Sequence, residues 1–203
     1  MVPPELVLFD LDGVLVHYDR AQRVEHLARS LGCSARQVHE LLFGSGLESR
    51  YDQGELETTQ YLDSLGVALG TRVERDAWAA ARGAAMRIDR DCLRLVERVA
   101  GQANVAILTN NGPLLGEVLP ELLPALFPLF AGRVLCTATL GGSKPAPHVY
   151  LHALALLRHA PHATLFLDDN ADNVNGARVA GLHAERVPAP GEFAAILAAY
   201  GLG

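Results

Sequence analysis

The chain has 203 residues, half of them hydrophobic and a fifth charged, with a formal net charge of −6. That length holds one domain with a sizeable core, or a core domain plus a small insert. The acidic balance argues against DNA, RNA and anionic membrane as main partners, since a phosphate backbone needs a basic face; a local positive spot for one phosphate group is still allowed.

Residues 5–9 (ELVLF) form a short apolar run that reads as a buried strand ending at Asp10. Residues 20–87 read differently. Segments such as AQRVEHLARSLG and SARQVHELLF place apolar residues three and four apart, with Gly32 as a helix stop, and no strand is evident there. Strands and helices then alternate. Helices are expected over 91–100, 113–126, 146–158 and 171–180, and strands over 104–108, 133–136, 164–167 and 184–187. Such alternation implies a parallel sheet covered by helices on both faces. The expected fold class is therefore α/β: a three-layer α/β/α Rossmann-like core, residues 1–16 and 88–203, interrupted by an inserted α-helical cap, residues 17–87.

The start, MVPPELVLFD, meets acidic residues too early for a signal peptide. The most apolar region, 113–132, is broken by Glu117, Glu121 and further prolines, so it does not read as a membrane-spanning helix. Cys33, Cys92 and Cys136 are odd in number and lack CxxC spacing. A reducing, cytoplasmic setting is the expectation.

In open α/β sheets, ligands bind outside the carboxyl ends of the strands. Polar residues follow three of the apolar runs: Asp10-Leu11-Asp12-Gly13, Thr109-Asn110-Asn111-Gly112 and Asp168-Asp169-Asn170. Four carboxylates converging at one sheet edge repel one another unless a cation neutralises them, and carboxylates and carbonyls suit a hard ion such as Mg2+. A carboxylate can attack phosphorus, and a second one two residues on can serve as acid and base. Between the last two clusters stands Lys144, in the stretch GGSKP, the single lysine of a chain with sixteen arginines. A compact ammonium balances clustered negative charge where a planar fork is too broad, and Pro145 fixes the backbone beyond it.

FDLDGVLV, LTNN, SKP and FLDDNADNVNGA resemble, in order and spacing, the four motifs of the haloacid dehalogenase superfamily, and the insert resembles its helical C1 cap. YDQGEL and FLDDNADNVNGARVAGL are most similar to its sugar-phosphate phosphatase branch, of the α-glucose-1-phosphatase-like kind. The resemblance implies Asp10 as nucleophile, Asp12 as general acid/base, Thr109 as phosphoryl-binding hydroxyl with Asn110 beside it, and Lys144 as the stabilising cation. It implies Mg2+ held by Asp10, the Asp12 main-chain carbonyl and Asp169, with Asp168 as a close neighbour, and leaves open whether Asp172 or Asn173 supports the metal's water shell. The cap turn at Arg50, Tyr51, Gln53 and Gly54 is expected to face the site, with Arg50 binding substrate. His148 and His152 lack the glutamate of HExxH and read as ordinary helix positions.

The expected activity is Mg2+-dependent hydrolysis of a small phosphomonoester, a sugar phosphate first, through an aspartyl phosphate. The same parts serve a sugar phosphomutase. A haloacid dehalogenase is a weaker alternative, because Asp12 is present, and a non-catalytic regulator is another, although no motif residue is lost.

Overall fold

The computed structural model describes residues 2–88 and 90–202. β1 (Leu6–Phe9) and a short β2 (His17–Tyr18) lead into α1 (Arg20–Leu31), α2 (Ala35–His39), α3 (Leu47–Asp52), α4 (Thr58–Leu69) and α5 (Arg75–Ala84). Asp19 caps α1 by accepting from the Ala21 and Gln22 amides, and Gly32 ends it in the left-handed conformation, φ 67°. β3 (Met86–Arg87) then pairs antiparallel with β2, so a two-stranded ribbon ties together the two ends of the helical stretch. The sequence gives no sign of this ribbon, because two residues are too few to display an alternation.

The rest alternates: α6 (Arg90–Ala100), β4 (Asn104–Thr109), α7 (Pro113–Leu122), β5 (Val134–Cys136), α8 (Pro147–Leu157), β6 (Thr164–Asp168), α9 (Ala171–Val179), β7 (His183–Arg186) and α10 (Ala194–Ala199). α7 stops short of the expected 126. Leu123 precedes Pro124 and leaves the helical region (φ −131°, ψ 61°), and a single 3-10 turn follows. α10 has no counterpart in the sequence reading.

The strands form one parallel sheet in the order β5-β4-β1-β6-β7, with Leu8 opposite both Ala106 and Phe166. Alternate residues of a strand face opposite sides. Val7, Phe9, Ile107 and Leu167 pack on one side with Val96 of α6 and Leu115 of α7. Leu8, Leu108 and Phe166 pack on the other with Tyr150 of α8 and Val174 of α9. Both faces are covered, which is why the strands read as unbroken apolar runs. The architecture is three-layered α/β/α, and burial of each large side chain contributes about 1.5–3 kcal/mol.

The helical insert has its own buried polar knot. Arg23 pairs with Glu48 at 2.6 Å, and Glu48 also accepts from the Tyr61 hydroxyl. Trp78 Nε1 donates to Tyr61 Oη at 3.1 Å, and Tyr51 stacks on Tyr61 at 4.2 Å. The insert meets the sheet domain at the start of α7. Asp52 Oδ1 accepts from the Gly112 amide at 2.8 Å and Tyr51 Oη accepts from the Leu114 amide at 3.0 Å, so side chains of α3 satisfy helix-terminal donors of α7.

Candidate active site

β1 lies between β4 and β6, so the residues at their carboxyl ends come side by side: Asp10, Thr109 and Asp168. Each sits where the buried part of a strand gives way to a loop. Asp10, Thr109, Lys144 and Asp168 are all buried.

Lys144 stands at the centre of the charge cluster. Its Nζ lies 2.8 Å from Asp10 Oδ1, 2.8 Å from Asp168 Oδ2 and 2.9 Å from the Leu108 carbonyl oxygen. Three donors thus meet three acceptors. Burial works against the ammonium, but the Asp10 and Asp168 charges prevail and raise its pKa above the ordinary lysine value. Burial pushes the Asp10 carboxyl up to about 7; Lys144 opposes that shift and the Asp168 charge adds to it.

Asp168 is saturated with partners. Besides Lys144 it accepts from the Asn170 amide at 2.8 Å and from Asn173 Nδ2 at 3.1 Å on each oxygen. Asp169 is exposed, and its carboxylate lies against Gly13, where an added Cβ would stand 2.4 Å from Asp169 Oδ2. The positive φ of Gly13, 86°, favours glycine there. Carboxylate oxygens of Asp10, Asp168 and Asp169 lie within 4.8 Å of one another. Four carboxylates, Asp12 included, face Lys144 and Arg82, with Arg186 beside Asp169. With all four ionised, negative charge is left over, and the oxygen donors fit a hard divalent ion such as Mg2+. Asp10 and Asp169 have the coordination capacity for it; Asp168 spends its own on Lys144, Asn170 and Asn173. Of the pair that the sequence left open, Asn173 bonds Asp168 and borders the main cleft, whereas Asp172 borders a different hollow beside α9.

Asn110 holds the lysine loop. Its Nδ2 donates to the Lys144 carbonyl and its Oδ1 accepts from the Lys144 amide and from the Thr137 hydroxyl. Thr109 Oγ1 accepts from Asn111 Nδ2 at 2.8 Å. Arg50 stands apart from this group: its exposed guanidinium pairs with Glu55 at 3.1 Å. Gln53, three residues on, does border a hollow that reaches Asp12. His148 and His152 bond the Gly141 and Leu140 carbonyls ahead of the lysine loop, so they act as struts there.

Arg82 was not anticipated. It lies in the last turn of α5, is buried, and donates to Asp12 Oδ2. Its only signal in the sequence is its place four residues after Trp78, on the stripe that α5 buries.

The cleft above these residues, about 1140 Å3, is bordered by Asp10, Asp12, Thr109, Lys144, Asp169 and the β2–β3 ribbon. A second hollow of about 420 Å3 adjoins it at Asp12 and runs under the insert past Arg23, Glu48 and Asp52. Burial first, then the Glu48 charge, pushes the Asp52 carboxyl up to about 8. Among the described residues, no helix is long and apolar enough to cross a membrane.

Residues 4–181 match the family of haloacid dehalogenase-like hydrolases. The chain belongs to that family. This hydrolase is 31% identical over 198 residues to Phosphatase MT3486 of Mycobacterium tuberculosis, covering 92% of the chain and 88% of that relative. It is 23% identical over 177 residues to a D-ribitol-5-phosphate phosphatase of Bacteroides thetaiotaomicron, covering 83% and 84%. Among solved structures, the hydrolase shares its fold with the HAD family enzyme bt-2542 of B. thetaiotaomicron, crystallised with magnesium and inorganic phosphate. The TM-score is 0.74 at 18% identity, covering 90% and 93% of the two chains.

Proposed function

We propose that this hydrolase is a Mg2+-dependent phosphatase of small phosphomonoesters, sugar phosphates foremost, working through an aspartyl phosphate on Asp10. The observation that carries the reading is the Lys144 ammonium, 2.8 Å from both Asp10 and Asp168 at the floor of an open cleft. It leaves Asp10 oriented towards a phosphoryl group and supplies positive charge where the transferring oxygens gather. The phosphatase names of two relatives and the magnesium and phosphate bound in a structural neighbour support it.

Asp10 attacks phosphorus in line. The bond from phosphorus to the substrate's leaving oxygen breaks, and that oxygen takes a proton from Asp12. Asp12 then removes a proton from water, which attacks the aspartyl phosphate, frees inorganic phosphate and restores Asp10. Thr109 donates its hydroxyl proton to a phosphoryl oxygen, and Lys144, whose three N–H groups are taken by Asp10, Asp168 and the Leu108 carbonyl, contributes its charge. Asp10, Asp169 and the Asp12 carbonyl would hold Mg2+, which would neutralise the carboxylate and phosphoryl charges. The insert, residues 17–87, serves as a cap that limits substrate size and bulk water. Sugar hydroxyls suit the hollow under it, whose Arg23, Glu48, Asp52 and Gln53 offer both donors and acceptors.

The test is phosphate release from a panel of sugar phosphates with Mg2+ and with EDTA. Mg2+-dependent release from a few members, abolished in Asp10→Asn, is the expected result. An isomerised sugar phosphate without phosphate release would mark a mutase instead.

A further inference from the structure

The contact between Arg82 and Asp12 spans the insert and the sheet domain. Arg82 is 1% exposed, and its Nη2 donates to Asp12 Oδ2. The same Nη2 lies 3.5 Å from Asn111 Oδ1, and Asn111 in turn donates to Thr109 Oγ1. The guanidinium rests on the Tyr18 ring, 4.0 Å from its centroid, at the ribbon where the insert joins the core. Four features therefore fix this side chain: its helix, an aromatic face, an amide and a carboxylate. An ordinary surface ion pair lacks the aromatic face and the amide.

The partner is held asymmetrically. Asp12 Oδ2 is tied to Arg82, while Oδ1 is buried and has no hydrogen-bond partner among the described residues. A buried unpaired carboxylate oxygen costs free energy unless something completes it. Asp12 borders both the main cleft and the hollow under the insert, where the leaving group of a substrate must pass.

We propose that Arg82 is a positioning residue for the reaction: it clamps Asp12 Oδ2 and so fixes the Asp12 carboxyl beside the path of the leaving oxygen. The inference rests on the phosphatase reading with Asp12 as acid. It also makes competence of the acid depend on the insert. Arg82 reaches Asp12 only when α5 is seated on the core, so an open insert has no oriented acid. Arg82 itself touches neither phosphorus nor the leaving group.

The test uses phenyl, 4-chlorophenyl and 4-nitrophenyl phosphate with the full-length protein and Mg2+. These substrates have one shape and no hydroxyl for a guanidinium to bind; they differ in how much the departing oxygen needs a proton. kcat/KM covers the steps through leaving-group departure and excludes hydrolysis of the aspartyl phosphate. Wild type is expected to show a shallow dependence on leaving-group acidity, and Asp12→Asn a steep one. Arg82→Met is expected to steepen alongside Asp12→Asn, its phenyl-to-nitrophenyl ratio falling about 30- to 100-fold, since displacement of a reacting group by an ångström costs about that much. Arg82→Lys keeps the charge and is expected to shift in the same direction by about tenfold, which covers the case of a Met variant that does not fold. If Asp12→Asn steepens while both Arg82 variants keep the wild-type slope, or lose all three rates equally, the positioning role is wrong and Arg82 is structural. If Asp12→Asn itself keeps the shallow slope, the assignment of the acid falls and this inference falls with it.

Discussion

The side-chain amide of Asn110 brackets the backbone of Lys144, donating to its carbonyl at 3.0 Å and accepting from its amide at 2.9 Å. The strand end that carries Thr109 is thereby fastened to the loop that carries the cation. Asn110→Ala leaves the Lys144 amide and carbonyl without these partners, at a cost of about 1–3 kcal/mol. The expected result is a Tm lowered by several degrees and kcat reduced about 10- to 100-fold as the ammonium loses its register. Thermal melts and steady-state phosphate release measure both. An unchanged kcat with a lowered Tm would confine Asn110 to a structural role.

Lys144 satisfies Asp10, Asp168 and the Leu108 carbonyl with its three N–H groups. A guanidinium spreads its donors over a planar fork and cannot point three of them at one centre. Lys144→Arg is expected to lose at least about 100-fold in kcat/KM although the charge is kept. Lys144→Met leaves two buried carboxylates without their cation, a change that costs about 3–5 kcal/mol. A Lys144→Arg variant with near-normal turnover would show that charge alone suffices.

Much of this site is legible in sequence because strand ends are. Asp10, Thr109 and Asp168 each close an apolar run, and a parallel sheet brings such ends together without further information. Lys144 is marked by composition, as the single lysine among sixteen arginines. Arg82 and the role of Asn111 are not legible, and Asn173 is legible only as one of a pair with Asp172. Their roles depend on which side chain a helix or loop turns towards a carboxylate from a distant segment, and neither apolar period nor motif encodes that. Arg50 shows the converse: its chemistry suits a substrate anion, but the turn before Gly54 directs it to Glu55 at the surface. The β2–β3 ribbon escapes for a third reason, its length.

Gly176 of α9 packs against the lysine loop so closely that an added Cβ would stand 2.1 Å from the Pro145 carbonyl oxygen. The obstacle is backbone, which cannot rotate aside. Gly176→Ala improves local helix propensity, yet overpacking costs about 1–3 kcal/mol and displaces Pro145 together with its neighbour Lys144. A lower Tm and a reduced kcat are the expected outcome. A variant more stable than wild type would mean that the loop moves aside freely.

Mg2+ binding and pH are expected to be linked through Asp10. Its carboxyl sits at about 7 in the folded, metal-free protein against an ordinary 3.8. The folded state therefore binds more protons than the unfolded state between those values. Stability of the metal-free protein falls as pH rises from about 4 to about 7, and the loss persists above. Asp52, pushed up to about 8, adds a slope of the same sign. Mg2+ must displace the proton from Asp10 at pH 5.5 but not at pH 8, so the Tm gain from saturating Mg2+ is expected to be larger at pH 8. Melts with Mg2+ and with EDTA at both pH values measure this. Asp52→Asn keeps an acceptor for the Gly112 amide and removes the Asp52 share. It is expected to flatten the EDTA curve while leaving the pH dependence of the Mg2+ gain intact. A Mg2+ gain that is equal at the two pH values would show that Asp10 is already ionised without the metal, with Lys144 alone sufficient to hold its charge.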